Sequence, residues 1–240
     1  MTKRKNTIRL RNLTIFAVVL TGLTGGAILF SPSVEAGCKD SPAAGVDWSG
    51  CRKRNVILSG YDFSGSNFNN ADLFGSDMRE TNFAGADLTR ATITRVNISN
   101  SDLTKADLSK VDGGRTVFHE VKLVDGSLEK AELFRADFAG SDLTNTNLNK
   151  TELGRSNFEN ANLTGAQITF TNLARANFSG ANLTGTDLNK SWTYLTRFQG
   201  VDLTGVVNLT QEQLDLACGD SSTKLPAGLT APAKWPCADE

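Results

Sequence analysis

Histidine occurs once in the 240 residues, at His119, and cysteine only four times. No second histidine is available to pair with His119, no nucleophile motif is present, and no glycine-rich phosphate-binding loop occurs, so the common catalytic relays lack their parts. The four cysteines are widely spaced and have a single histidine to share, which argues against a structural zinc site. Long apolar runs are also scarce. The one candidate, Leu13 to Phe30, is interrupted by Thr21, Gly22, Thr24, Gly25 and Gly26. These scarcities point to a chain without an active site and without a cofactor.

What is abundant is a five-residue phrase. From Leu58 to Leu203, thirty slots five residues apart carry a large apolar side chain in all but two cases, Gly113 and Thr193. Two residues before each slot sits a small residue, and between them is usually Asp or Asn, as in Ala71-Asp72-Leu73. A period of five fits neither the helical 3.6 nor simple strand alternation, so neither an amphipathic helix nor a long strand keeps one face buried. A short extended piece does: small residue in, Asp or Asn out, large residue in. Two further residues then turn a corner. Gly and Asn are frequent at the second of these, as at Gly65, Gly75 and Asn100, which suits a turn.

A longer period sets the number of sides. Phe118, Phe138, Phe158, Phe178 and Phe198 are twenty residues apart, and so are Arg95, Arg115, Arg135, Arg155 and Arg175. Lys110, Lys130, Lys150 and Lys190 share a third register, led by Arg90. Twenty is four fives, so the expected coil has four sides on which like residues stack. Thirty phrases make a solenoid of seven to eight coils, about 36 Å long at the usual spacing between strands.

The phrases Ala86-Asp87-Leu88, Ala106-Asp107-Leu108 and Ala181-Asn182-Leu183 resemble those of the pentapeptide-repeat family. The resemblance implies an all-β fold, a right-handed quadrilateral β-helix. It says little about function, because that family includes gyrase-protecting DNA mimics, thylakoid-lumen proteins and many members without a known role.

The ends read differently. Lys3, Arg4, Lys5, Arg9 and Arg11 precede the apolar run, and Val34-Glu35-Ala36 offers small residues where a signal peptidase reads, so residues 1–36 are expected to be a cleaved signal peptide. An uncleaved anchor and a lipid attached at Cys38 are the alternatives. Residues 37–55 form the expected N-terminal cap, 56–205 the repeat, and 206–240 the C-terminal cap. Export and an even cysteine count predict disulfides. The repeat holds Cys38 and Cys51 at one end and Cys218 and Cys237 at the other, which favours the pairs Cys38–Cys51 and Cys218–Cys237. Thr210-Gln211-Glu212-Gln213 is a capping-box pattern that opens a short helix through Ala217. The tail around Ala217-Cys218-Gly219-Asp220 resembles one that follows the repeats in some bacterial members of the family.

The candidate binding face lies between the two basic rows, Arg95, Arg115, Arg135, Arg155 and Arg175 on one corner and Lys110, Lys130, Lys150 and Lys190 on the next. Between them fall Asp112, Glu132 and Glu152, with Phe134, Trp192 and Tyr194 pointing outward. Two readings of this surface stand: internal pairing of Glu132 and Glu152 with their basic neighbours, or a docking face for another protein or an acidic component of the cell envelope. The expected function is an exported, non-catalytic structural or protein-binding rod in the periplasm or outside the cell. No nucleic acid and, after cleavage, no transmembrane span are expected, and an end-to-end homodimer is open. The alternative is a DNA mimic that protects a topoisomerase. That role wants a strongly acidic surface, whereas residues 56–205 carry 18 acidic and 14 basic side chains.

Overall fold

The computed structural model describes residues 37–237. The expected signal peptide on residues 1–36 lies outside them. From Asp47 through Asp187, the middle residue of every phrase except that of Asn182 forms a parallel bridge with the residue twenty positions later. Four ladders of bridges result: one runs from Asp47 through Asn67 and Asp87 to Val207, and the others start at Arg52, Ile57 and Asp62. One coil is therefore twenty residues, as the longer period predicts. The bridges are isolated rather than gathered into extended strands. Two of every five residues turn the corner, which leaves one bridged residue per phrase. Backbone amides alternate between the flanking coils: Phe138 N–H donates to Asn157 O at 2.7 Å, and Asn157 N–H donates to Ala136 O at 3.0 Å.

The alternation of size follows from the interior. The large slots are buried almost without exception, with Phe118, Phe138, Phe158, Phe178 and Phe198 all at 0% exposure. Their rings stack at centroid separations of 4.5, 5.0, 4.8 and 5.6 Å along the five. The small slot admits Ser and Thr as readily as Ala because a buried hydroxyl finds an acceptor in the preceding coil. Ser141 Oγ donates to Phe118 O at 2.6 Å, Thr146 Oγ1 to Leu123 O at 2.8 Å, and Ser156 Oγ to Leu133 O at 2.8 Å. An unpaired buried hydroxyl would cost about 1–3 kcal/mol. The outward Asp or Asn supports the turn that follows it, as expected: Asp137 Oδ1 accepts from Ala139 N–H at 3.1 Å, and Asp62 Oδ1 from Ser64 N–H at 2.9 Å.

The two interrupted slots have different explanations. At Gly113, a Cβ would come within 2.7 Å of Leu133 and 3.0 Å of Ile93, so the neighbouring coils fill the space that the missing side chain leaves. Thr193 is wholly buried and its Oγ1 donates to Gln213 O at 2.7 Å, which fastens the helix that closes the last coils. That helix, α1, spans Gln211–Leu216. Its capping box is formed as predicted, with Thr210 and Gln213 each accepting from the other's backbone N–H. Gln213 also donates from Nε2 to Leu188 O at 2.7 Å and Ser191 O at 2.9 Å.

Both ends are tied by sulfur. Cys38–Cys51 and Cys218–Cys237 are the disulfides, each with a Cα–Cα distance of 5.4 Å. At the first end Trp48 is 1% exposed and packs on Phe63 and Phe68 at 5.3 and 5.7 Å. At the other, Arg197 bridges Cys218 and Asp202 bridges Lys224, so the ladders continue past the inserted helix. Trp235 covers Gly219, where any Cβ would collide with its ring, and its Nε1 donates to Ala217 O at 2.9 Å.

Candidate binding face

The ladder that starts at Arg52 places Asp112, Glu132, Glu152, Asn172 and Trp192 on consecutive coils. This fixes the strip on which the two basic rows lie. Arg95, Arg115, Arg135, Arg155 and Arg175 flank it at backbone φ values of 59° to 61°, and Lys110, Lys130, Lys150 and Lys190 at 55° to 63°. The left-handed corner is an uncommon place for side chains of this size, and it holds each row at one edge of the strip. All nine are exposed except Arg175, which is half-buried.

Charge is segregated on this molecule. The strip consists of residues 50–55, 70–75 and so on at intervals of twenty to 190–195, and it carries thirteen Lys and Arg against four Asp and Glu, a net of +9. The remaining described residues carry seven against nineteen, a net of −12. Ion pairs within the described residues include Lys130 with Glu129 at 2.8 Å and Arg54 with Asp72 at 3.6 Å. Glu152 accepts from Asn172 Nδ2 at 2.8 Å, and Asp112 from Thr94 Oγ1 at 2.8 Å. The field of the lysine row is visible at Glu129. Its hydrogen bond to Lys130, reinforced by the charges of Lys130, Lys150 and Lys110, holds its carboxyl below the usual range. Beside this row, Asn69, Thr89, Arg90, Ser109, Lys110 and Lys130, with Asp107 and Glu129, line a shallow groove of about 300 Å³.

The aromatic residues collect on the same strip. Phe134 is 48% exposed, Trp192 52% and Tyr194 43%, with the last two stacked at 6.3 Å. The ring of Phe134 lies over Gly154 and has the Arg135 guanidinium 5.3 Å from its centre. Two aromatic residues escape a reading based on the charged rows. Phe170 is 52% exposed and takes the place in the lysine row between Lys150 and Lys190, with Lys190 Nζ 5.1 Å from its ring. Phe74 is half-buried between Arg54 at 4.6 Å and Arg95 at 6.0 Å. The signal for Phe74 is a sixty-residue recurrence: Phe74, Phe134 and Tyr194 share one register three coils apart, and the positions between them hold Thr94, Gly114, Gly154 and Ala174.

His119 is exposed and lies 3.5 Å from Glu120. Among the described residues, no group of three or more His, Cys, Asp or Glu is placed to hold a metal ion.

No curated protein matches the chain at a significant level. Among solved structures, HetL from the cyanobacterium Nostoc sp. strain PCC 7120, a pentapeptide repeat protein involved in heterocyst differentiation regulation, is 20% identical, with 77% of this chain and 86% of that one covered and a TM-score of 0.41. QnrB1, a plasmid-mediated fluoroquinolone resistance protein, is 21% identical over 73% of this chain and 90% of its own, with a TM-score of 0.40. A pentapeptide repeat protein of the Arabidopsis thaliana thylakoid lumen is 24% identical over 73% and 83%, with a TM-score of 0.24. Two sequence profiles match: the one described as a pentapeptide repeat region at residues 114–188 and 131–209, and the one described as pentapeptide repeats (8 copies) at 44–79 and 71–109. With five-residue phrases, twenty-residue coils and both profiles covering most of the described residues, the chain belongs to the pentapeptide-repeat family.

Proposed function

We propose that this chain is an exported, non-catalytic binding protein of the cell envelope whose basic face docks an acidic partner. Its coils close as a right-handed, four-sided β-helix between two caps tied by disulfides. The observation that carries the reading is the segregation of charge, +9 on one strip against −12 on the rest of the described chain. A face with that excess attracts and orients an acidic partner over a range set by the Debye length, about 8–10 Å at physiological salt. Exposed aromatics on the same strip supply the contacts that charge alone lacks. Export is supported by the signal-like residues 1–36 and by two disulfides, which persist in oxidising compartments. No helix among the described residues is long and apolar enough to cross a membrane.

The test is photocrosslinking in intact cells followed by capture, comparing the native chain with a variant in which Arg115, Arg135 and Arg155 are changed to Ala. The partner should be lost from the variant. Capture that is the same from both chains refutes the docking face and leaves the fold untouched. A second reading, a DNA mimic that protects a topoisomerase, would use the acidic sides, with their net of −12. Protection or inhibition of purified gyrase in a supercoiling assay at low protein concentration would favour it over the first.

A further inference from the structure

We infer that the acidic partner is a linear polyuronate, a polysaccharide with one carboxylate per sugar, lying along the basic face parallel to the stack of coils. The inference rests on the docking reading above and narrows it to one chemistry. The decisive feature is charge per unit length. The strips at 110–115, 130–135 and 150–155 each carry one Lys, one Asp or Glu and one Arg; 170–175 carries Arg175 alone and 190–195 carries Lys190 alone. Five consecutive coils thus each present a net charge of +1. Neighbouring coils are separated by 4.5 to 5.6 Å, judged from the stacked phenylalanines inside them. A polyuronate presents one negative charge per sugar at a comparable spacing, so the two arrays stay in step. Duplex DNA carries one charge per about 1.7 Å of axis, about three per coil, which is far more than this face neutralises. An acidic protein surface has no fixed period to match.

The stripes on the face suit the same ligand. Uronate carboxylates accept hydrogen bonds from the outer Lys and Arg rows, and sugar hydroxyls donate to the central carboxylates Asp112, Glu132 and Glu152. Phe74, Phe134 and Tyr194 recur every third coil, about 14 Å apart at strand spacing, and offer flat apolar surfaces for the C–H face of every third sugar. Gly114 and Gly154 on either side of Phe134 leave that ring as a ridge that a chain can cross.

The experiment uses the full chain in affinity gel electrophoresis and titration calorimetry with sodium polygalacturonate as the probe. Its fully methyl-esterified form, duplex DNA and polyglutamate serve as comparators. Polygalacturonate should bind and weaken as salt rises. The methyl ester should bind at least about tenfold more weakly, the loss expected for about 1.4 kcal/mol of charge contacts. Phe134→Ala and Tyr194→Ala should each weaken binding about three- to tenfold, the range for one aromatic contact. Lys122→Ala, off the face, should change nothing, and circular dichroism should show every variant folded. Failure of polygalacturonate to bind at low salt overturns the inference. So does equal binding of DNA or polyglutamate with no effect of Phe134→Ala, which would mean attraction between charged polymers in general. If crosslinked capture still depends on Arg115, Arg135 and Arg155 while polygalacturonate fails, only the sugar inference falls; if both fail, the docking face falls with it.

Discussion

Replacing Phe158 by Ala removes the middle ring of a five-ring stack. Its ring has no solvent exposure, lies 5.0 Å from Phe138 at an interplanar angle of 1°, and 4.8 Å from Phe178 at 3°. Loss of a fully buried Phe side chain, with the cavity it leaves, costs about 3–5 kcal/mol. The stacked contacts with the two neighbours account for about 0.5–1.5 kcal/mol each of that total. Because each coil touches only the next, the coupling should end there. A double-mutant cycle between Phe138→Ala and Phe158→Ala should therefore show an interaction of about 0.5–1.5 kcal/mol, while one between Phe118→Ala and Phe158→Ala should add to within about 0.5 kcal/mol. Guanidinium unfolding followed by both tryptophan fluorescence and circular dichroism measures this, with coincidence of the two probes as the check for two-state behaviour. A cost below about 1 kcal/mol for Phe158→Ala, or equal coupling for the touching and non-touching pairs, would refute the packing argument.

Reducing the disulfides should loosen the ends first, since the loops closed by Cys38–Cys51 and Cys218–Cys237 span 13 and 19 residues. In the chain-entropy picture each is worth about 3 kcal/mol, and Cys218→Ser with Cys237→Ser should lower the unfolding midpoint accordingly. The C-terminal end of the ladders, around Asp202 and Asp220, should also be sensitive to acid. Hydrogen bonds from Thr204, Lys224 and the Thr204 amide depress Asp202 to about 2, and those from Ser222, the Ser222 and Gly200 amides and Thr223 depress Asp220 to about 2. A folded-state pKa below the unfolded value makes the contribution complete above pH 3.8 and lost as pH falls toward 2. Amide exchange in residues 198–224 should accelerate over that window, and Asp202→Asn with Asp220→Asn should flatten the dependence. At Lys105, where φ is +59°, substitution by Val should cost about 1–2 kcal/mol and substitution by Gly little or nothing, as read by the denaturation midpoint.

Much of this architecture is legible in the sequence because both periods are short and nearly unbroken. The phenylalanine register predicts a ladder, and the rings stack at close to a single spacing; the cysteine positions and the Thr210–Gln213 pattern likewise give the disulfides and α1. The slots Gly113 and Thr193 look alike as interruptions, yet one is filled by Leu133 and Ile93 from adjacent coils and the other anchors α1. That difference depends on residues twenty positions away, which no local pattern reports. The candidate face is only half legible. The Arg and Lys rows stand out by count, whereas Phe74 and Phe170 become part of it only once the coils are laid side by side. The balance of charge is hidden for the same reason. A formal total of −1 over the whole chain conceals two large and opposite contributions that only the winding separates.

Every bridge joins a residue to its counterpart one coil away, and the buried hydroxyls reach no further than the preceding coil. Length is therefore a free variable in this design, but only in whole windings. Excising twenty residues such as 131–150 would shorten the molecule and bring every downstream stripe back into line. Excising five would put everything beyond the cut out of register with the coils before it and break the cationic surface in two, although the same kinds of side chain would still fill the interior.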